Sequence, residues 1–345
     1  MRSITVEAEG RYEVRIGDGA LASLMPFERR MAVFIDENVE RLHGEALRAR
    51  FVGRRFEVFE VPSGERYKTL GTASRAYDWL AERRFERAEP VVAIGGGVTG
   101  DLAGFVAATW QRGVPFVQVP TTLLAQVDAS VGGKVAVDHP AGKNLIGAFH
   151  QPAQVIADTS LLSTLPVREL WAGLAEVVKT ALLAGGALLD AVDQGLEGFV
   201  VSPASLEDVI AGCVTHKAAV VQRDPRERGE RATLNLGHTI GHALERLAGY
   251  EGLLHGEAVA YGLRAELALS GFDESSREMR LVRRLKVPAI ERVGGDDVLA
   301  ATRSDKKVSS GRARFALLDA PGRPRWGVDV PDARVREVVD ALFEG

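Results

Sequence analysis

Short apolar runs and alternations dominate the first half of the chain, and helical periodicity dominates the second. Residues 3–7 and 12–16 alternate apolar with polar positions, as half-buried strands do. Met31 to Ile35 is a continuous apolar run, the pattern of a strand covered on both faces, and it ends in Asp36-Glu37-Asn38. A helix is expected from there to about Arg50, a strand over Arg55 to Val61, a turn at Pro62-Ser63-Gly64-Glu65, and a helix over Thr69 to Arg83. Pro90 to Ile94 reads as a further strand that runs into Gly95-Gly96-Gly97, and Val114 to Val119 and Gln154 to Ala157 complete the set. Strands alternating with helices at this spacing predict a parallel sheet with crossover helices. After Pro166, helices are expected near 167–186, 188–199, 203–223, 233–247, 256–270, 275–286, 295–303 and 331–343, and only Arg312 to Leu318 reads as extended. The predicted architecture is an α/β N-terminal Rossmann-like domain, residues 1–163, followed by a mainly α-helical C-terminal domain, residues 164–345.

In such a sheet, ligands bind outside the carboxyl ends of the strands. Asp36, the Ser63–Lys68 turn, Gly95–Asp101 and Thr121-Thr122 all follow predicted strands, so they are expected along one edge. Composition narrows the class further. With 46% apolar and 26% charged residues and a net charge of −4, nothing points to nucleic acid or membrane as partner. No apolar run approaches a membrane span, and Cys213, the only cysteine, excludes an intrachain disulfide and a zinc–thiolate cluster. A cytoplasmic setting is expected. Of 43 basic residues only eight are Lys, and only Lys286 lies outside the motifs below. In a chain so rich in Arg, a retained Lys marks a place where a compact ammonium is wanted.

Gly95, Gly97 and Gly100 satisfy G-x-G-x-x-G between a strand and a helix, which fits either a pyrophosphate cradle or simply a tight turn. The ribose-binding acid usual about 20 residues later is absent, and Asp36 is positioned to replace it. Asp128, Lys134, Lys143 and Asn144 lie in glycine-rich, loop-like sequence, as an anion-holding loop or a solvated basic hairpin. Glu176 and Lys179 share a face of an apolar helix, as a structural ion pair or as a metal-ligating carboxylate beside a cation. His238 and His242 are i and i+4, and His255 follows. A carboxylate with two of these histidines is a catalytic rather than a structural zinc pattern. HTIGH lacks the Glu of a zincin protease. Lys217, Arg223, Arg226, Glu227, Arg228 and Arg231 form a charge run that reads first as a solvated surface.

Taken together, GGGVTGDLAGF, QRG, VPTTLLAQVDASVGGK, GKNLIGAFHQP, GLAEVVK, LNLGHTIGHALE, LHGEAV and DKK resemble the 3-dehydroquinate synthases, in order over about residues 30–310. Other sugar-phosphate cyclases and, more remotely, glycerol-dehydrogenase-like metal enzymes are related. The resemblance implies NAD, a divalent metal (Zn2+ or Co2+) and a homodimer. It implies conversion of 3-deoxy-D-arabino-heptulosonate 7-phosphate to 3-dehydroquinate and phosphate on the route to chorismate. NAD is regenerated in that cycle, so the net reaction is a lyase reaction. The implied metal ligands are Glu176, His238 and His255. The implied NAD contacts are Asp36, Asn38, Ser63, Gly64, Glu65, Arg66, Tyr67, Lys68, Gly97, Val98, Thr99, Gly100, Asp101, Thr121, Thr122, Lys143, Leu161 and Thr164, with Lys134 beside them. Lys134, Asn144, His242 and one of Lys306 and Lys307 would hold the substrate phosphate, with Arg112 reaching it across a dimer. Lys217, Arg231 and Asn235 would clamp the substrate carboxylate, and Asp128, Lys179 and Glu227 would meet hydroxyls and the proton path. Asp224-Pro225 departs from the acidic pair expected before Arg226-Glu227. The competing activities are a sister cyclase acting on sedoheptulose 7-phosphate, which has no carboxylate to clamp, and a metal-dependent alcohol dehydrogenase, which needs no phosphate-facing lysines.

Overall fold

The computed structural model describes residues 1–249, 252–303 and 313–343. The first half builds β1 (Arg2–Glu7), β2 (Arg11–Gly17), β3 (Met31–Asp36), α1 (Glu37–Arg50), β4 (Phe56–Val61), α2 (Leu70–Glu82), β5 (Val91–Gly95), α3 (Gly97–Thr109) and β6 (Phe116–Pro120). β7 (Lys134–His139), β8 (Gly142–Phe149) and β9 (Gln154–Asp158) follow. One seven-stranded sheet has the order β1-β2-β9-β6-β5-β3-β4; β1 is antiparallel to β2, and every other neighbouring pair is parallel. Along β3 the side chains alternate between two apolar layers. Ala32 and Phe34 join the layer under α2 and α3, while Met31, Val33 and Ile35 join the layer that contains Leu47 of α1. Burial on both faces is why this strand reads as an unbroken apolar run.

The chain leaves β3 for β4 on one side and, returning through α2, places β5 and then β6 on the other. The carboxyl ends of β3 and β5 therefore flank the point where the strand order reverses, the place where open α/β sheets bind ligands. Asp36 ends β3 and Gly95 ends β5.

The remaining elements are α4 (Val167–Ala184), α5 (Gly186–Val201), α6 (Glu207–Arg223), α7 (His238–Leu247), α8 (His255–Leu269), α9 (Arg277–Arg283), α10 (Gly295–Arg303), β10 (Phe315–Ala320), β11 (Arg323–Val328) and α11 (Asp332–Ala341). Two compact units result: residues 1–165 with 202–225, and 166–201 with the chain from 226 onward. A division at 163/164 thus misplaces α6. This helix belongs to the first unit, where the N-terminal ammonium meets Glu207 at 3.0 Å and Arg2 meets Asp208 at 2.6 Å. Helical periodicity reports that a segment is a helix and is silent on which core the helix joins.

Of the two readings of the glycine-rich stretch around Lys134–Phe149, the structure has the hairpin: β7 and β8 are antiparallel, and Val135 and Val137 reach the layer under α3 while most of β8 faces outward. The extended region near 312–318 is likewise a hairpin, β10 with β11, and Arg312 itself lies outside the described residues. The helix expected from 233 begins at His238; residues 230–235 form a 3₁₀ turn, and Gly237 in the left-handed region (φ 79°) separates the two.

In the second unit α4 is buried at every residue from Leu170 to Leu183. A helix apolar all round lies inside a core, and α4 carries Glu176 and Lys179 there. α8 approaches its neighbours through glycines. A Cβ on Gly256 would lie 1.9 Å from the Ala172 carbonyl oxygen of α4, and one on Gly262 would lie 1.8 Å from that of Gly237, the residue before α7. These contacts fix His255 one turn from Glu176 and beside the start of α7.

Candidate active site

At the sheet edge of the first unit, Asp36 caps α1 by accepting from the backbone N–H of Asn38 (2.9 Å) and Val39 (3.4 Å). The Ser63 hydroxyl donates to Asp36 (2.7 Å to Oδ2), and Asn38 Nδ2 donates to Ser63 Oγ at 2.8 Å. Asp36, Asn38 and Ser63 thus form one polar strip over the ends of β3 and β4. Beyond β5, α3 begins without a side-chain cap, so its first N–H groups and helix dipole are directed at whatever lies outside it. The glycines of this turn differ in purpose. A Cβ on Gly95 would come within 2.6 Å of Thr99, so the fold itself requires that glycine. A Cβ on Gly97 would sit in ordinary contact with Ala129 (3.6 Å), so packing does not require that glycine, and the close approach of a pyrophosphate to the helix terminus would be its reason. Thr99 is 0% exposed and packs under the turn, and Thr121 and Leu161 are also buried. Thr122 Oγ1 accepts from Ala125 N at 3.2 Å, and Thr164 Oγ1 lies 2.6 Å from His43 Nε2. Arg66 stacks over the Tyr67 ring at 4.9 Å.

Next to this edge lies a charge cluster. Lys68 is 4% exposed, with its ammonium 2.7 Å from Glu65, 3.3 Å from Asp101 and 3.8 Å from Asp138; Lys143 is 3.9 Å from Glu65. Burial pushes Asp101 up to about 6 against the pull of Lys68. Burial works against the charged form of Lys68, but Asp101 and Glu65 outweigh it and hold Lys68 above the ordinary lysine value. Glu65 is drawn below the usual carboxylate range because Lys68 and Lys143 together overcome burial. Lys68 therefore organises the edge from beneath, clamping the 65–67 turn, α3 and the β7–β8 hairpin together.

In the hairpin, Lys134 stands opposite Phe149 at the open end, whereas Lys143 and Asn144 lie beside the turn. Asn144 adopts φ 55°, and its N–H donates to Asp138 Oδ1 at 2.8 Å. The register thus sets Lys134 and Asn144 at opposite ends of the hairpin. Arg112 is exposed on a turn in which Gln111 (φ 48°) and Arg112 (φ 67°) are both left-handed, a cost that non-glycine residues bear mainly at functional positions. Asp128 lies in a single π-helical turn, Ala125–Ala129, and Lys217 of α6 donates to its backbone oxygen at 2.7 Å and to its carboxylate.

The centre of the second unit is Glu176, at 0% exposure. Its Oε1 lies 3.5 Å from Nε2 of His238 and 3.5 Å from Nε2 of His255, and Lys179 Nζ lies 2.5 Å from Oε2. Neither carboxylate oxygen accepts a hydrogen bond of good geometry, a costly state for a buried acceptor. One nitrogen from each of His238, His242 and His255 falls within 4.8 Å of the others, so His242 is a third imidazole at the same place. The far nitrogens of two rings are engaged: His238 Nδ1 with the Leu236 carbonyl and His255 Nδ1 with Glu245, both at 3.1 Å. With Nδ1–H donating, each Nε2 presents a lone pair toward Glu176. Ligands about 2.1 Å from a tetrahedral ion are about 3.4 Å apart, so the two 3.5 Å separations fit a divalent cation held by Glu176, His238 and His255. His255 is pushed up to about 10: burial lowers it, and Glu245 and Glu176 more than reverse that. The pocket thus asks for positive charge, from a proton or from a metal.

Beside it, Asn235 Nδ2 donates to Glu227 Oε1 at 2.8 Å, Glu227 is left-handed (φ 54°), and Arg231 is 2% exposed. Lys306 and Lys307 lie outside the described residues. Three acids escaped the sequence reading. Glu245 sits behind His255. Glu266, at 0% exposure, accepts from Gly237 N (2.6 Å) and Ile240 N (3.2 Å) and so fixes the start of α7. Asp138 joins Lys68 to Asn144. The spacing His238-x3-His242-x2-Glu245 was the one signal available, since it sets all three residues on one helix face.

In architecture the chain is similar to the sugar-phosphate cyclases. A 2-deoxy-scyllo-inosose synthase solved with carbaglucose-6-phosphate, NAD+ and Co2+ matches with a TM-score of 0.89 and 27% identity over 99% of both chains. The 2-epi-5-epi-valiolone synthase of Streptomyces hygroscopicus, solved with NAD+ and Zn2+, matches with a TM-score of 0.89 and 27% identity over 100% of this chain and 99% of that one. The sequence narrows the class: residues 58–172 match the family described as 3-dehydroquinate synthase N-terminal, and residues 173–308 match 3-dehydroquinate synthase C-terminal. The 3-dehydroquinate synthase of Nitrosospira multiformis is 44% identical, covering 97% of this chain and 96% of its own. The chain belongs to the 3-dehydroquinate synthase family and is an enzyme of that lyase type. No helix among the described residues is long and apolar enough to cross a membrane.

Proposed function

We propose that the chain converts 3-deoxy-D-arabino-heptulosonate 7-phosphate to 3-dehydroquinate and phosphate, using NAD and a divalent cation, Zn2+ or Co2+. When bound, NAD serves as reversible hydride acceptor and the cation polarises the alcohol oxygen that is oxidised. Asp36, with Asn38 and Ser63, receives the ribose hydroxyls, and the uncapped terminus of α3 above Gly97 receives the pyrophosphate. Val98, Gly100, Asp101, Thr121, Thr122, Lys143, Leu161 and Thr164 complete the cofactor contacts, over the frame held by Lys68. Glu176, His238 and His255 hold the cation.

Lys134 and Asn144 stand at opposite ends of the β7–β8 hairpin, so one of them, with His242, binds the phosphate, and Arg112 of the partner subunit reaches it in a homodimer. Cationic groups around that oxygen cluster stabilise the charge that grows as phosphate leaves. Arg231 and Asn235, with Lys217, receive the carboxylate; Lys217 and Asn235 already have carboxylate partners in Asp128 and Glu227, so a substrate carboxylate exchanges into existing polar pairs. Asp128, Lys179 and Glu227 hold substrate hydroxyls and pass protons. A cytoplasmic location accompanies this reading, supported by a single, buried cysteine that needs no oxidising compartment.

The observation that carries the proposal is the buried Glu176 oxygen facing two Nε2 atoms at 3.5 Å. Phosphate release from the heptulosonate phosphate and from sedoheptulose 7-phosphate, with and without chelator, tests it. Release from the first alone, abolished by chelator and restored by Zn2+, is expected. Release only from sedoheptulose 7-phosphate would refute the substrate, and release indifferent to chelation would refute the metal.

A further inference from the structure

Helix α7 carries His238, His242 and Glu245 at i, i+4 and i+7, a single stripe along one face. Two of these are imidazoles of the cluster around Glu176; the third is an acid that the expected ligand set does not include. Glu245 is 1% exposed, and its Oε2 lies 3.1 Å from Nδ1 of His255, on the neighbouring helix α8. The opposite nitrogen of the same ring, Nε2, faces Glu176 Oε1 at 3.5 Å. The His255 ring therefore stands between two carboxylates, one on the side shared with His238 and one behind. The converging imidazole nitrogens are those of His238, His242 and His255, and Glu245 meets the ring of His255 at Nδ1, the nitrogen that faces away from Glu176.

We propose that Glu245 is the positioning residue for the metal centre: by accepting the Nδ1–H of His255 it fixes the tautomer that leaves Nε2 free to ligate, and it holds the ring on line with Glu176. A carboxylate behind a ligating imidazole also makes that imidazole a stronger donor. The contrast with His238 supports the assignment. His238 Nδ1 meets the backbone carbonyl of Leu236 at 3.1 Å, a neutral acceptor supplied by the fold. His255, at the first position of α8 and more exposed, meets a charged side chain at its Nδ1 instead. Removing a carboxylate of this kind typically weakens metal binding about 10- to 100-fold.

This inference rests on the ligand set Glu176, His238 and His255, and the experiment separates the two. Full-length protein is stripped of metal and titrated with Zn2+ against a chromogenic chelator, comparing wild type, Glu245→Gln, Glu245→Ala and His255→Ala. NAD affinity and circular dichroism of the stripped proteins report folding. Glu245→Ala is expected to raise the Zn2+ Kd by about 10- to 100-fold. Glu245→Gln, whose amide oxygen still accepts from Nδ1, is expected to lie between it and wild type, with NAD affinity unchanged in both. If Glu245→Ala fails to fold, the isosteric Glu245→Gln decides alone. Zn2+ affinity within twofold of wild type in Glu245→Gln and Glu245→Ala, while His255→Ala loses the metal, overturns the positioning role and leaves the ligand set intact. Unchanged Zn2+ affinity in His255→Ala overturns the ligand set and this inference with it.

Discussion

Charge is held in two contrasting ways in the two units. Around Lys68, three carboxylates surround one buried ammonium, Lys143 approaches from the side, and the cluster closes on itself. Around Glu176, a fully buried carboxylate faces two imidazole nitrogens across 3.5 Å and accepts no well-formed hydrogen bond. The first arrangement is a frame: its members satisfy one another, and what it contributes is the position of a turn, a helix and a hairpin. In the second, Lys179 lies 2.5 Å from one Glu176 oxygen, while the other oxygen faces the two imidazoles and is the place that a bound cation would complete. Of two buried charged clusters, the one that cannot be completed by protein atoms is where a ligand belongs.

The sharpest break of that comparison is His255→Ala. Loss of a ligand should reduce turnover by more than the roughly 100-fold upper range of an outer-shell partner, together with metal content measured on the same sample. Lys68→Met should instead unfold the first unit more easily. It leaves Glu65, Asp101 and Asp138 without their shared cation, at a cost of about 3–5 kcal/mol in urea unfolding, and metal content should not change.

Glycines draw the same distinction at smaller scale. Gly262→Ala forces a Cβ to within 1.8 Å of a carbonyl oxygen and should cost about 1–3 kcal/mol of stability. Gly97→Ala meets nothing nearer than 3.6 Å, so unfolding should move by less than about 0.5 kcal/mol, whereas the NAD Kd should rise at least about tenfold, or about 1.4 kcal/mol. A Gly97→Ala protein that loses stability and keeps its NAD affinity would make that glycine structural.

The smallest effect is a pH slope. Asp101 is raised from 3.8 to about 6. The folded state then holds this proton more tightly than the unfolded chain, so the group's contribution is fully present below pH 3.8 and is lost as pH rises through 6. Relative to Asp101→Asn, wild type should lose stability as pH rises across that window, as followed by unfolding at several pH values; parallel curves would contradict it.

Much of this was legible in the chain because each signal had one physical meaning. The run Met31–Ile35 is short and carries Val, Phe and Ile, which favours a strand covered on both faces over a buried helix segment, and the i, i+4 histidines of α7 share a face in any α-helix. Less legible were features that depend on a distant neighbour. For β7 and β8, Gly132-Gly133 and the Pro140–Gly142 turn left loop and hairpin as alternatives, and β11 (RPRWGV) has a proline and little burial, so neither pair shows clean alternation. α6 reads as an ordinary helix, and it is distant partners that assign it to the first unit: Glu207 and Asp208 meet the N-terminal ammonium and Arg2, and Lys217 meets Asp128. Glu245 and Glu266 look like the solvated acids common in helices; their burial comes from α7 packing on α8 through Gly262, which no local pattern encodes.

In the proposed function, NAD is used and returned within a single cycle at a metal-dependent site. Phosphate release and NADH absorbance followed together, during turnover of the heptulosonate phosphate with catalytic amounts of NAD, test it most directly. One phosphate per 3-dehydroquinate is expected, with NADH never exceeding the amount of enzyme. NADH that accumulates in step with substrate consumed would contradict it and mark the protein as a dehydrogenase.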